Sequence, residues 1–204
     1  MHPAQVIQLP APSLSGDLSM EAALSRRRSV RDYSDRPLQI REVAQLLWAA
    51  QGITEPRRGL RTTPSAGATF PLEIFVAAGN VNGLAAGLYR YRPLSHTLEF
   101  VIPGELRPAL QRVSLNQPLV RQAPAVFIIT ALPERTEARY GGRAMRYVFM
   151  EVGHAAQNLN LQAVALGLGS VVVGAFHDAD LTAVLNLPPG EIPLYVIPAG
   201  APRQ

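Results

Sequence analysis

Apolar residues recur at helical spacing in two stretches of the chain and run together or alternate in several shorter ones. After Pro37, Ile40, Val43, Leu47 and Ala50 fall on one face and Gly52 suits a stop, which predicts a helix. The longest stretch, "GGRAMRYVFMEVGHAAQNLNLQAVALGLG" over 141–169, carries a stripe of Met145, Val148, Val152, Ala155, Leu159, Ala163 and Leu166, and Gly167 and Gly169 end it. Gly153, Ala156, Leu161 and Val164 occupy its other faces, so it reads as buried nearly all round, with a partner subunit as a natural supplier of one neighbour. Ser19, with Glu21 in the first turn, predicts a short helix that carries "RRRSVRDY" (26–33) near its C-terminal end. Strands are predicted at "LEIFVAA" (72–78), "GLYRYRP" (87–93) and "TLEFVI" (97–102), with "LSH" (94–96) as a hairpin turn. "AVFIITA" (125–131) is a continuous apolar run, as in a strand covered on both faces. Further expectations are a helix around Glu105–Val113 with Pro108 in its first turn, a strand "SVVVGAF" (170–176), a helix capped by Asp178 or Asp180, and a last strand "PLYVIPAG" (193–200).

Two segments lack such periodicity. Residues 1–18 hold three prolines and predict an extended arm, while 53–69 read as one long loop of the kind that tends to be functional or disordered. The remainder, 19–204, is predicted as a single domain. Helices and strands mix without strict alternation, so the fold class is α+β.

Composition narrows the chemistry. A hydrophobic share of 48% against 17% charged residues describes an ordered globular chain. All 19 basic side chains are arginine, and there is no cysteine. The missing lysine excludes Schiff-base chemistry and a complete Walker A loop; the missing cysteine excludes disulfides, thiolate nucleophiles and iron–sulfur ligation. His2, His96, His154 and His177 are far apart, and none forms an HExxH pair, so no metal is predicted. A net charge of +4 is weak support for a nucleic-acid partner, and no apolar run or leader pattern suggests a membrane, so a cytoplasmic location is expected.

Three segments could carry chemistry. In "RRRSVRDY", Arg27 and Arg31 are four apart and Arg28 and Arg31 three apart; on a helical turn they stack guanidinium groups, either as a solvated face or as an anion site helped by Ser29. "PSAGATFPL" (64–72) is either a plain turn or a place where small residues let backbone approach a flat ring. "GLGSVVVGAF" (167–176) fails as a dinucleotide fingerprint in both spacing and element order, and by itself reads as a helix end feeding a strand.

Taken in order, "RRSVRDY", "LLWAAQGI", "TTPSAGATFPLEIFV", "GLYRYRP" with a following histidine, and "RYVFMEVGHAAQNLNLQAVALGLGSVVVGAF" resemble the flavin-dependent nitroreductase superfamily in its SagB-type dehydrogenase branch, from about Leu18 to Gly200. The resemblance implies a central, mostly antiparallel sheet flanked by helices, in a homodimer that binds FMN in two clefts at its interface. It implies that Arg27 and Ser29, with Arg28 beside them, contact the FMN phosphate. Arg31 reaches the ribityl chain and the N1/C2 edge of the ring. Pro64, Ser65, Ala66 and Gly67 line the ring from the partner subunit, and Val173, Gly174 and Ala175 approach N5 and O4. Arg203 is a further basic contact near the C-terminus, and Tyr140 a proton donor or acceptor. Ala68 stands where many relatives have asparagine, and Arg139-Tyr140 where the azoline dehydrogenases of the branch resemble a Lys-Tyr pair. The implied activity is hydride transfer through flavin N5 between NAD(P)H or an organic donor and an acceptor. Azoline-to-azole oxidation of a peptide is the nearer alternative, and a non-catalytic nucleic-acid module the remote one. His154 is expected in the core or an interface, with Tyr147, Glu151 and Asn158 as neighbours able to satisfy it.

Overall fold

The structure is a computed structural model and describes residues 5–203. Positions 1–4 of the expected arm, His2 among them, and Gln204 lie outside the described residues. In chain order the elements are β1 (Val6–Gln8), α1 (Met20–Arg26), β2 (Leu38–Gln39), α2 (Ile40–Gln51), β3 (Ile53–Glu55), β4 (Leu60–Arg61), β5 (Leu72–Ala78), β6 (Val81–Asn82), β7 (Gly87–Arg92), β8 (Thr97–Pro103), α3 (Arg107–Val113), α4 (Pro118–Gln122), β9 (Ala125–Ala131), α5 (Glu134–Tyr140), α6 (Ala144–Ala165), β10 (Gly169–Ser170), α7 (Asp178–Leu185) and β11 (Ile192–Gly200).

Seven strands form one sheet in the order β1-β8-β7-β5-β9-β11-β10, and every neighbouring pair in it is antiparallel. Strand residues alternate between its faces. Leu72, Ile74, Val76, Phe127 and Ile129 point to one face and pack with α2 and α6, while Phe75, Ala77, Val126 and Ile128 point to the other and pack with α3, α4 and α7. Double coverage explains why β9 is apolar almost throughout and buried at each residue. The fold is therefore α+β with a central antiparallel sheet flanked by helices.

Several local expectations are corrected. Residues 53–69 are not one loop: β3 and β4 pair as a hairpin across a turn with Gly59 at φ 64°, followed by a 3₁₀ turn at Ala66–Ala68. Helices α4 and α5 were not anticipated; both are short, and apolar periodicity is hard to read over so few residues. The strand expected over 170–176 stops at Ser170, after which the Val171 N–H, donating to the Pro198 carbonyl (3.4 Å), and a bridge from Val173 to Val196 keep contact with the sheet. His177 occupies the N-cap position of α7 without a side-chain capping bond, while Asp178 and Asp180 sit inside its first turn, where their charge favours the helix dipole. Among the described residues, no helix is long and apolar enough to cross a membrane.

Candidate active site

Ser19 caps α1 as expected, its hydroxyl accepting the Ala22 N–H at 3.2 Å. The helix ends at Arg26, because Arg27 turns to φ −55°, ψ 124°. Arg27 and Arg31 therefore do not stack on a helical turn, which corrects the sequence expectation. Beyond α1 the backbone finds sheet-like partners instead: Ser29 bridges Ser170, the Val30 N–H donates to the Ser170 carbonyl at 3.1 Å, and Tyr33 bridges Pro202. An extended chain sets alternate residues on one side, which groups Arg27, Ser29 and Arg31. Among the described residues, the Arg27 and Arg31 side chains make no ion pair or hydrogen bond within the chain. Arg28 turns back and donates through Nη1 to the carbonyls of Ser25 and Arg27, at 2.9 and 2.7 Å, which caps the end of α1.

Three anchors hold this segment. Ser170 is fixed by its hydroxyl, which donates to Asn160 Oδ1 at 2.7 Å. The buried Tyr33 hydroxyl shares its one proton between the carbonyls of Val30 (2.8 Å) and Pro198 (3.1 Å), and burial raises its pKa so that it keeps that proton. Arg203 joins from the C-terminus, paired with Asp32 at 3.2 Å and donating to the Tyr33 carbonyl at 3.0 Å. Close by in sequence, Val173 is buried at its bridge while Gly174 and Ala175 emerge exposed. A Cβ built on Gly174 would come no nearer than 3.7 Å to another residue, so the backbone there is open to a ligand.

A second cluster forms around the turn that follows Pro64. Ser65 Oγ accepts the Phe70 N–H at 2.9 Å, and Gly67, Ala68 and Phe70 adopt φ of 58°, 55° and 45°. For the two non-glycine residues this left-handed region costs about 1–2 kcal/mol each. Helix α5 offsets that strain: Arg139 Nη1 donates to the Gly67 carbonyl (3.0 Å), Arg135 Nη1 to the Phe70 carbonyl (3.0 Å), and Thr136 Oγ1 bonds Thr69 Oγ1 (2.9 Å). A Cβ on Gly67 would lie 2.7 Å from the Tyr140 hydroxyl oxygen and from Arg139 Cδ, so a side chain there would push both away. Tyr140 thus joins Pro64, Ser65, Ala66 and Gly67, its ring 4.6 Å from that of Tyr147.

Beneath this turn lies a buried polar group that the sequence reading missed. Arg61 Nη1 donates to Gln51 Oε1 at 2.8 Å, and its guanidinium sits 4.5 Å from the Phe70 ring centroid. Glu151, only 3% exposed, faces Ser65 and Arg61. Burial pushes its carboxyl up to about 7, against the opposing pull of the Ser65 hydroxyl and the Arg61 charge. Burial likewise lowers Arg61. The available signal was one acidic residue inside the apolar "YVFMEVG". His154, expected in the core or an interface, is exposed in the chain and so not in its core, and Asn158 donates to the Thr62 carbonyl (3.3 Å) and Thr63 Oγ1 (3.1 Å).

The two clusters meet different levels of α6. Asn160 holds the Ser170 side and Glu151 underlies the turn; nine residues of helix separate them, or about 13.5 Å of rise. Among the described residues, no group of three or more histidine, aspartate or glutamate side chains is placed to hold a metal.

The family described as the Nitroreductase family matches residues 24–201. A nitroreductase-type protein of Methanocaldococcus jannaschii is 45% identical over 184 residues, spanning 90% of this chain and 91% of that protein. The microcin B17-processing protein McbC of Escherichia coli is 28% identical over 191 residues, 90% of this chain and 70% of its own length. Among solved structures, a nitroreductase-type protein of Ralstonia eutropha superposes with a TM-score of 0.87 at 30% identity, covering 98% of this chain and 90% of that one.

Proposed function

We propose that this chain, which belongs to the nitroreductase family of oxidoreductases, is a cytoplasmic, homodimeric flavoenzyme that binds FMN and passes hydride between NAD(P)H or an organic donor and a second acceptor. Residues 19–204 form the FMN-binding domain in this reading, preceded by the N-terminal arm. One observation carries it. Among the described residues, Arg27 and Arg31 make no side-chain ion pair or hydrogen bond, and the exposed Ser29 lies between them, a donor set that suits a phosphate and the ring it carries.

When bound, the flavin supplies reversible hydride exchange at N5. The residues of this chain bind and orient it. Arg27 and Ser29 grip the phosphate, with Arg203 steadying their segment through Asp32 and the Tyr33 carbonyl. Arg31 holds positive charge against the pyrimidine edge, where reduction leaves negative charge. Val173 ends the sheet contact so that the Gly174 and Ala175 backbone meets the ring. Pro64, Ser65, Ala66 and Gly67 cover the ring from the second copy and exclude water, and Tyr140 beside Gly67 gives or takes a proton through its hydroxyl. Arg28 is engaged at the end of α1, and the reading does not need it at the phosphate.

The test is spectroscopic. Purified protein loaded with FMN and desalted is expected to retain the visible absorbance of oxidised flavin; no retained flavin overturns the reading. Arg27→Ala is expected to weaken FMN binding by about 1.5–3 kcal/mol, the usual worth of a charged hydrogen bond, or roughly 10- to 150-fold. Unchanged affinity in a fluorescence titration removes Arg27 from the phosphate site.

The likeness to McbC over 90% of the chain favours a second reading, oxidation of a peptide azoline to an azole. Arg139 weighs against it: a guanidinium is a poor base, and this one is bonded to the Gly67 carbonyl. Loss of two hydrogens from an azoline peptide, read by mass spectrometry, supports this second reading. NAD(P)H oxidation without that loss supports the first.

A further inference from the structure

Three anchors fix the backbone that follows β10. Val173 exchanges both bonds with Val196, its N–H donating at 2.8 Å and its carbonyl accepting at 3.0 Å. The His177 N–H donates to the Val113 carbonyl at 2.9 Å. Between these two points the Ala175 carbonyl accepts from Gln117 Nε2 at 3.3 Å, a contact across 58 residues of chain. In a trans peptide the carbonyl and the next N–H point opposite ways. The Gly174 N–H therefore faces away from β11, and the Phe176 N–H away from Gln117. Among the described residues, the N–H groups of Gly174, Ala175 and Phe176 reach no acceptor in the chain.

The turn between α3 and α4 holds Gln117 for this contact. Gln117 sits at the N-cap position of α4, before Pro118, and Nε2 also donates to the Ser114 carbonyl at 3.0 Å. Two carbonyl acceptors identify the NH2 end of the side chain and use both of its protons. The turn is costly to keep: Leu115 and Asn116 are left-handed, at φ 55° and 57°, and the buried Ser114 hydroxyl has no hydrogen-bond partner among the described residues. Such features persist only where their surroundings over-determine them, and they cluster at functional sites. We propose that Gln117 is a positioning residue: through the Ala175 carbonyl it sets the peptide planes of 174–176, and with them the direction in which the unpaired N–H groups meet a ligand. Val173 is already fixed by the sheet, so the bond to Ala175 removes the backbone freedom that Gly174 brings. The role rests on the reading that Gly174 and Ala175 meet the flavin ring.

Gln117→Met and Gln117→Glu test it. Both keep the length of the side chain and lack the donor at neutral pH, one without charge and one with it. In crystal structures of the FMN-free variants, the Ala175 carbonyl is expected to leave its wild-type direction while the Val173–Val196 bridge remains. In fluorescence titrations both variants are expected to bind FMN about tenfold more weakly than wild type. The midpoint potential of the bound FMN is expected to shift in the same direction in both, which a general loss of stability does not produce. An Ala175 carbonyl that keeps its direction in both variants overturns the positioning role, even where FMN binds. Weaker binding in the Glu variant alone assigns the effect to charge and overturns it as well. A carbonyl that moves, in a protein whose wild type retains no FMN, upholds the hold on Ala175 and overturns the flavin reading that it serves.

Discussion

Tyr33 shows how one buried side chain can organise a site it does not enter. Its hydroxyl holds the carbonyls of Val30 and Pro198 together, so the segment bearing Arg27, Ser29 and Arg31 is tied to β11 across the end of the sheet. Tyr33→Phe removes the donor and leaves both carbonyls buried. The expected cost is about 1–3 kcal/mol, and about 2–4 °C of melting temperature per kcal/mol for a chain of this size. A thermal melt within about 1 °C of wild type would show that water or a shifted backbone replaces the bond. At this scale the sequence was partly legible. The cluster of arginines around a serine raised an anion site beside a plain solvated face, but the helical turn on which they were expected to stack was not there, because α1 ends at Arg26. Tyr33 as anchor and Glu151 as buried acid were not legible, because their partners lie 165 residues away in one case and on a different element in the other.

Between elements, close approach decides the geometry. β10 is two residues long, yet it is the strand against which the arginine segment docks. Gly169 makes this possible: a Cβ there would lie 2.5 Å from the Cβ of Val30, a stiff branch point that cannot swing aside. Gly169→Ala is therefore expected to displace the segment and weaken FMN binding by about tenfold or more, although the residue touches no ligand in the proposed site. Wild-type affinity in this variant would mean that the docking of Val30 does not set the phosphate contacts. Long elements such as α2, β5 and β9 were legible, α2 because its apolar face repeats over several turns and β5 and β9 because their apolar runs are bounded. The β3–β4 hairpin, α5 and the early end of β10 did not. Each is short, and each is held by tertiary partners, as α5 is by its bonds to the 65–70 turn.

For the molecule as a whole, the two residue clusters and the surface of α6 raise one question together. A single chain sets the Arg27–Arg31 segment and the Pro64–Gly67 turn at levels of α6 about 13.5 Å apart. Helix α6 was expected to be buried nearly all round, yet it exposes Phe149 at 58% and Met150 at 53%, with Gly153 and Gln157 continuing the stripe at helical spacing. Leu14, Met20 and Leu24 are exposed as well, and an open groove of about 820 Å³ runs between residues 11–23, α2 and α6. On the proposed homodimeric reading, a second copy would cover the α6 stripe and bring its own Pro64–Gly67 turn to the proposed cofactor site. Phe149→Asp places a charge in the middle of that stripe, where unpaired burial is costly. The variant is expected to stay folded by circular dichroism, to run as a monomer in light scattering, and to lose FMN affinity by about a hundredfold, or about 2.8 kcal/mol. A monomer that binds FMN as tightly as wild type would place the whole site within one chain and remove the second copy from the mechanism.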